Sequence, residues 1–332
     1  MRAGIAVVCG SFLGVCAFGS LPTRRADADT PKPDVKASAS ASGSTIVAKG
    51  VGIGAALAID DTALYWLSGK KLSAVDKAGG TVRTVSSGNN LQNLTMVHGK
   101  PFWSEGRDRV YALLKPPKPT RLQDLHVEFE EGVPYEPTEI AGIHASASPF
   151  VCLVVLKGTA MMPELTCFDP AKPANAVTAQ GGPTPGAAVA LDDKNLYYTG
   201  DDAADGAAMF VASYKPMVTT LGKPTKLVAL KKVPDYLTAS GGGLFWFDAG
   251  LVSLSLSPPS RTVLAAGAAG SDLVADATHV YFRTGGKIVR VARVAGSKVE
   301  PVAGAGKVES FALDGTSIYF IEGGNLIKAS KG

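Results

Sequence analysis

The chain has 332 residues, 46% of them hydrophobic, and 33 Lys and Arg against 29 Asp and Glu, a net charge of +4. The bases are scattered, and no basic stripe alternates with aromatic residues, which argues against a nucleic-acid partner. Cysteine is scarce, and two of the four stand within the first 16 residues.

The N-terminus reads as an export signal over residues 1–19. Arg2 precedes an apolar run from Ala3 to Phe18, the length of a signal-peptide core and short for a membrane span. Ala17-Phe18-Gly19 and Ala26-Asp27-Ala28 both offer the small residues of a cleavage site. Leu13-Gly14-Val15-Cys16 resembles a lipoprotein box, although Val15 is large for the residue before the cysteine. Arg24-Arg25 just beyond the run is also compatible with a retained anchor. Three outcomes stay open: cleavage and release, a lipid on Cys16, or an uncleaved anchor. Each delivers the protein to the periplasm, the outer membrane or the exterior. Residues 20–43, rich in Pro, Ser and Ala, cannot build a core and are expected to form a disordered linker. Membrane contact is expected only through this N-terminal part.

Residues 44–332 form one domain, because no second linker appears. Its organising feature is an aromatic pair that recurs roughly every 40 residues. The copies are Tyr65-Trp66, Phe102-Trp103, Tyr197-Tyr198, Phe245-Trp246, Tyr281-Phe282 and Tyr319-Phe320. A seventh, degenerate copy is placed at Val151-Cys152. The clearest unit runs from Ala56 to Gly88 as four short strands separated by Gly and Asp turns. Four strands in about 40 residues is the size of a β-propeller blade. Successive strand residues face opposite ways, so an aromatic pair buries both faces of its strand, as happens between two neighbouring blades. The first strand of each unit is poor in bulk (Ala58, Ala188, Ala190, Ala239, Ala275, Ala312), as crowding at an axis requires. The expected fold is all-β, a β-propeller of seven four-stranded blades; the degenerate unit keeps six or eight open. The last unit lacks a fourth strand, and Ser44 to Gly50 reads as the missing one, pairing beside Asn325 to Ala329 and closing the ring.

Phe245-Trp246-Phe247-Asp248, followed by Leu251 and Leu254, resembles the repeat of propellers that carry Tyr-Trp-Thr-Asp, as in low-density lipoprotein receptors and their bacterial relatives. Most copies here lack the Asp, as in Trp66-Leu67-Ser68, and that family usually has six blades. The resemblance implies a fold and a tendency to bind proteins; it implies no activity.

Candidate chemistry is sparse. His98, His144 and His279 are expected in turns between first and second strands, where sister units carry Asp60, Asp192 and Asp314. Asp201, Asp202 and Asp205, in a loop from Gly200 to Gly206, could hold calcium, but their spacing departs from the alternating-residue calcium loop. The insertion from Gln123 to Pro137 contains His126, Glu128, Phe129, Glu130, Glu131, Val133 and Tyr135 and breaks the repeat most. Glu128, Phe129, Glu130, Glu131 and Tyr135 make it the best candidate surface for a partner; a flap lying on blades two and three is the plainer alternative. No catalytic constellation, resident metal or cofactor is expected. Cys152 and Cys167 are equidistant from a hairpin centred on Thr159 and Ala160, and opposed strand residues lie within disulfide reach. An oxidising compartment would let them join. The sequence thus points to an exported, monomeric, non-enzymatic propeller that binds an envelope protein or glycan. The alternative is a secreted hydrolase or lyase with a loop-built site on one face.

Overall fold

The computed structural model describes residues 43–332 apart from 53–55, 107–108, 116–117, 125–137, 146–150, 158–161, 180–184, 193, 203, 205 and 214–222. Seven antiparallel sheets of four strands account for almost all of it. Blade one comprises Ala56–Ile59, Ala63–Ser68, Lys71–Asp76 and Arg83–Ser87. Blade two is built from Leu91–Val97, Lys100–Glu105, Arg109–Lys115 and Lys118–Asp124, and blade three from Thr138–Ala145, Val151–Lys157, Met162–Phe168 and Val177–Ala179. Blade four holds Pro185–Leu191, Asn195–Asp202, Gly206–Ser213 and Thr225–Ala229. Blade five holds Leu237–Ser240, Gly243–Phe247, Gly250–Leu256 and Pro259–Ala266, and blade six Ser271–Ala275, His279–Thr284, Lys287–Ala292 and Glu300–Ala303. Blade seven takes Val308–Leu313, Ser317–Glu322 and Asn325–Ser330 from the end of the chain and its outer strand, Thr45–Lys49, from the beginning. Among the described residues no helix is long and apolar enough to cross a membrane.

First strands of successive blades touch one another all the way round, and the circuit closes between blades seven and one. They are therefore the innermost strands. Each sheet widens outward, and the aromatic pairs sit on second strands, where there is room for them. None of their twelve rings is more than 5% exposed. Each pair splits between two interfaces. Tyr65 packs forward with Trp103 of blade two, while Trp66 packs backward with Tyr319 of blade seven. Tyr197 likewise meets Trp246, Phe245 meets Phe282, and Tyr281 meets Phe320. Blade packing is thus a relay of rings, each burying on the order of 150 Å² or more.

Blade three departs from its expected alignment by one residue. Cys152 packs forward against Tyr198 of blade four, as a first ring does, and Val151, Leu153 and Val155 pack backward against Phe102 of blade two. The slot is therefore Cys152-Leu153 and not Val151-Cys152. Cys152 lies directly opposite Cys167, as Tyr65 lies opposite Ala74.

The outer strands share a device that fixes how they lie on the blade. In six blades their pairing to the third strand slips by one residue, leaving an extra residue: Val85, Leu122, Leu227, Leu264, Val302 and, in the closing strand, Val47. All six are apolar, and each packs against an interior cluster. A bulge adds local twist and re-aims its side chain, which here turns inward. Val47 obeys the same rule as its five sisters, so the N-terminal strand is a true fourth strand of blade seven. The described pairs of blade three's outer strand run without a slip.

Candidate interaction surfaces

Strand direction gives the ring two faces. One carries the turns between first and second strands and between third and fourth strands (the turn face). The other carries the second-to-third hairpins and the links between blades (the linker face).

On the turn face, four blades share one motif: Asp60 with Tyr65, Asp192 with Tyr197, Asp276 with Tyr281, and Asp314 with Tyr319, always five residues apart. One carboxylate oxygen accepts two backbone N–H groups of the turn, those of Thr62 and Ala63 at Asp60 and of Thr316 and Ser317 at Asp314. Short polar side chains favour this turn because they stand in for a backbone acceptor. The other oxygen accepts the tyrosine hydroxyl, at 2.9 Å from Tyr65 and 3.2 Å from Tyr319. A buried phenol needs such a partner. The two blades with Phe in this slot, Phe102 and Phe245, carry Val97 and Ser240 in place of the Asp. Burial pushes the Tyr65 hydroxyl up to about 12, and the Asp60 carboxylate beside it adds to the rise.

A cation then fastens blade to blade. Lys77 of blade one reaches Asp314 of blade seven at 3.2 Å and lies 6.0 Å from the centre of the Tyr319 ring. Lys331 of blade seven reaches Asp276 of blade six at 2.6 Å and stands over Tyr281. Arg293 of blade six donates to the Ser240 carbonyl of blade five at 3.1 Å and stacks 4.6 Å from the centre of Phe245. Burial alone would raise the Asp314 carboxyl; the Thr316 and Ser317 N–H groups and the Lys77 ammonium outweigh it and bring it down to about 2. Asp276 falls further, with burial opposed chiefly by Lys331 and by the N–H groups of Thr278 and His279.

Carboxylates on the linker face also hold backbone. Glu322 Oε1 accepts N–H groups from Ala305, Gly306 and Lys307, and Glu105 accepts one from Asn89. Asp248, the one Asp that matches the Tyr-Trp-Thr-Asp pattern, pairs with Arg261 of its own blade at 2.6 Å. Near the axis, Asn93 bridges Ser104 Oγ and the Ile140 carbonyl of blade three. Arg283 pairs with Asp272 and donates to the Val308 carbonyl of blade seven.

The structure contains the Cys152–Cys167 disulfide, with a Cα–Cα separation of 4.1 Å. Asp201 and Asp202 are not in a loop: they extend blade four's second strand opposite Ala207 and Gly206. Asp205 lies outside the described residues, as do Glu128, Phe129, Glu130, Glu131 and Tyr135 of the insertion, His126, and residues 1–42 with Cys16. The strands flanking the insertion end at Asp124 and resume at Thr138 on the linker face. His144 is not in a turn but in blade three's first strand, opposite Cys152. His279 opens the second strand of blade six, where Thr278 Oγ1 meets its Nδ1 at 2.8 Å; the Asp-equivalent turn residue there is Asp276. Only His98 keeps the expected turn placement, at a positive φ of 48°. Among the described residues no three His, Cys, Asp or Glu side chains cluster as metal ligands.

No protein-family model matches the chain, and no curated protein matches it in sequence. Solved structures do share its fold. It superposes on PorZ, an essential surface component of the type-IX secretion system of Porphyromonas gingivalis, with a TM-score of 0.61 at 12% identity. That match covers 87% of this chain and 38% of PorZ, so the chain spans well under half of that protein's length. A chain of the mitotic checkpoint complex matches with a TM-score of 0.57 at 11% identity, over 94% of this chain and 98% of its own. BamB of Moraxella catarrhalis matches with a TM-score of 0.50 at 13% identity, over 83% of this chain and 82% of its own. At such identities the likeness shows the propeller fold alone, and none of the three singles out the Tyr-Trp-Thr-Asp type. What the chain shares with these structures is the β-propeller, which in this chain has seven blades.

Proposed function

We propose that this protein is an exported, non-enzymatic propeller scaffold of a bacterial envelope that binds another envelope protein or a glycan. The observation that carries the reading is the Cys152–Cys167 bond between buried strands of blade three. Disulfides persist in oxidising compartments, which export supplies. The likeness to PorZ, a bacterial surface component, is in keeping with an envelope setting. The charged side chains described above are spent on turns and on joining blades, which suits a rigid platform better than a reaction centre. The insertion is the proposed docking element, because its sequence from residue 125 to 137 breaks the repeat most and combines Phe129, Val133 and Tyr135 with four glutamates.

The test is fractionation and site-specific photocrosslinking of the full chain in its host, with the crosslinker at Tyr135 and, as control, at exposed Val299 of blade six. A discrete adduct from position 135 in the envelope fraction, with the two cysteines oxidised, is expected. Reduced cysteines in a cytoplasmic pool, or identical adducts from both positions, would overturn it.

A further inference from the structure

The lysines of blades one and seven fall into two groups. On the turn face, Lys77 and Lys331 are spent on the fold, each paired with an Asp of the neighbouring blade. On the linker face, Lys49 ends the outer strand of blade seven, and Lys70 and Lys71 stand at the hairpin of blade one. Two more lysines continue this second group. Lys287 opens the third strand of blade six, and Lys307 lies in the link that leads into blade seven. All five are exposed, and among the described residues none of them is ion-paired.

Contacts between the segments make one sector of them. The link from blade six to blade seven rests on the blade-six hairpin: Val308 donates its N–H to the Gly286 carbonyl at 2.9 Å, and a Cβ on Gly286 would collide with the Gly306 carbonyl. The link from blade seven to blade one is held likewise. Val51 donates to the Gly324 carbonyl of the blade-seven hairpin at 2.9 Å, and Gly52 leaves no room for a Cβ beside Ser68 of blade one. The hairpins of all three blades are two-residue turns, closed by the pairs Ser68 with Lys71, Thr284 with Lys287 and Glu322 with Asn325. The lysines therefore project from a low floor of small residues. The one carboxylate among these hairpins and the described parts of the two links, Glu322, already holds the N–H groups of Ala305, Gly306 and Lys307. On the far side of the same face the sign reverses in the sequence: Glu128, Glu130, Glu131 and Glu136 fall between the strands that end at Asp124 and resume at Thr138.

We propose that the lysine sector of blades six, seven and one is a docking surface for a bilayer that carries anionic headgroups. Several ammoniums on a low floor can meet a plane of phosphates at once, each adding to the attraction, whereas a protein surface must match them one by one. The glutamates across the face are repelled by the same plane, so the ring should meet the bilayer tilted, with blade seven lowest. The sequence alone suggests membrane contact only at the N-terminus, because these five lysines are scattered along the chain and gather only when the ring closes. A segment as long as residues 20–43 spans at most about 80 Å, enough to let either face reach a membrane that holds the N-terminus, so a tether does not choose the face. The proposal needs only an anionic bilayer and does not rest on the partner proposed above.

Photocrosslinking of the full chain to vesicles tests it, with a benzophenone side chain in place of exposed Ala305 on the linker face or exposed Ala277 on the turn face. Vesicles of phosphatidylcholine with about 30% phosphatidylglycerol are compared with phosphatidylcholine alone. Lipid adducts are expected from position 305 only and with phosphatidylglycerol only. They should disappear in 0.5 M salt, where the screening length falls to about 4 Å. The combined variant Lys49→Gln, Lys70→Gln, Lys71→Gln, Lys287→Gln, Lys307→Gln should lose them at least about tenfold. A variant with Gln at five exposed turn-face lysines, Lys100, Lys118, Lys172, Lys194 and Lys298, sheds the same net charge and should keep them. The lipid and salt arms need no lysine variant, so misfolding of either variant would leave them decisive. No lipid adduct, equal adducts from the two positions, adducts with phosphatidylcholine alone, or an equal loss in two folded lysine variants would each overturn the proposal. A protein adduct from position 305 in envelope extracts, without lipid adducts, would give the sector to an acidic protein and overturn it as well.

Discussion

Replacing Lys77 with Met isolates the charge that joins blade one to blade seven, because the stem over Tyr319 is retained while the ammonium is lost. The Lys77 and Asp314 side chains are 19% and 24% exposed, so the pair is neither a surface bridge nor a sealed one. Exposed pairs contribute about 0.2–1 kcal/mol and breaking a sealed pair costs about 3–5, which puts this one at about 1–2 kcal/mol. For a domain of this size that is a fall of about 2–3 °C in Tm. A double-mutant cycle with Asp314→Asn in urea unfolding should return a similar coupling energy. The pH dependence follows from the carboxyl, whose folded pKa drops from 3.8 to about 2. Because the folded value is the lower one, its contribution is complete above about pH 4 and fades as pH falls through about 2. The gap between Lys77→Met and the parent should therefore narrow between about pH 4 and pH 2. A coupling energy below about 0.3 kcal/mol at pH 7, or a gap that does not change with acid, would refute the reasoning.

Deleting residues 44–50 should lower Tm by about 10 °C or more, since it bares the third strand of blade seven and removes Val47 and Ala48 from the interior; a loss no greater than that from deleting residues 20–40 would count against the closing strand. Trp246→Ala should cost about 3–5 kcal/mol in chemical unfolding, because the ring is 0% exposed at the junction of blades four and five. A loss below 1 kcal/mol would contradict the relay of rings. In unreduced, denatured protein lacking residues 1–43, thiol titration should find no free thiol, and reduction should destabilise blade three by up to about 3 kcal/mol; two free thiols per chain would dispose of the bond.

The blades were legible because the marker of each is bulky and rare: three tryptophans and their companion rings fall once per unit. Where the rings are missing, the reading slipped. Val151, Cys152 and Leu153 give no hint of which residue faces forward, and only the packing against Phe102 and Tyr198 decides it. The Asp–Tyr motif was present as a covariation among units, Asp with Tyr and Val97 or Ser240 with Phe, but His279 was aligned to the turn position that Asp276 holds. The joints between blades were not legible at all. Lys77 and Asp314 stand near opposite ends of the chain, and each looks like an ordinary surface charge until the ring is closed. The inward bulges escaped notice for a similar reason, since Val85 or Leu264 in a short strand suggests simple alternation.

The strand at Thr45–Lys49 has a consequence for how the molecule is made. Its register partner for Thr45 is Lys328, so the first strand to emerge during synthesis waits for the last. Until then it has no sheet to join, and blade seven cannot exist. Bringing two such distant points together costs about 5 kcal/mol of chain entropy by the logarithmic law for flexible loops, and blades one to six shorten that search by folding in between. Assembly should accordingly be sequential up to the sixth blade and abrupt at the end. A nascent chain stalled short of Asn325 would hold its opening strand out as bait for any unpaired edge nearby, its own or a neighbour's.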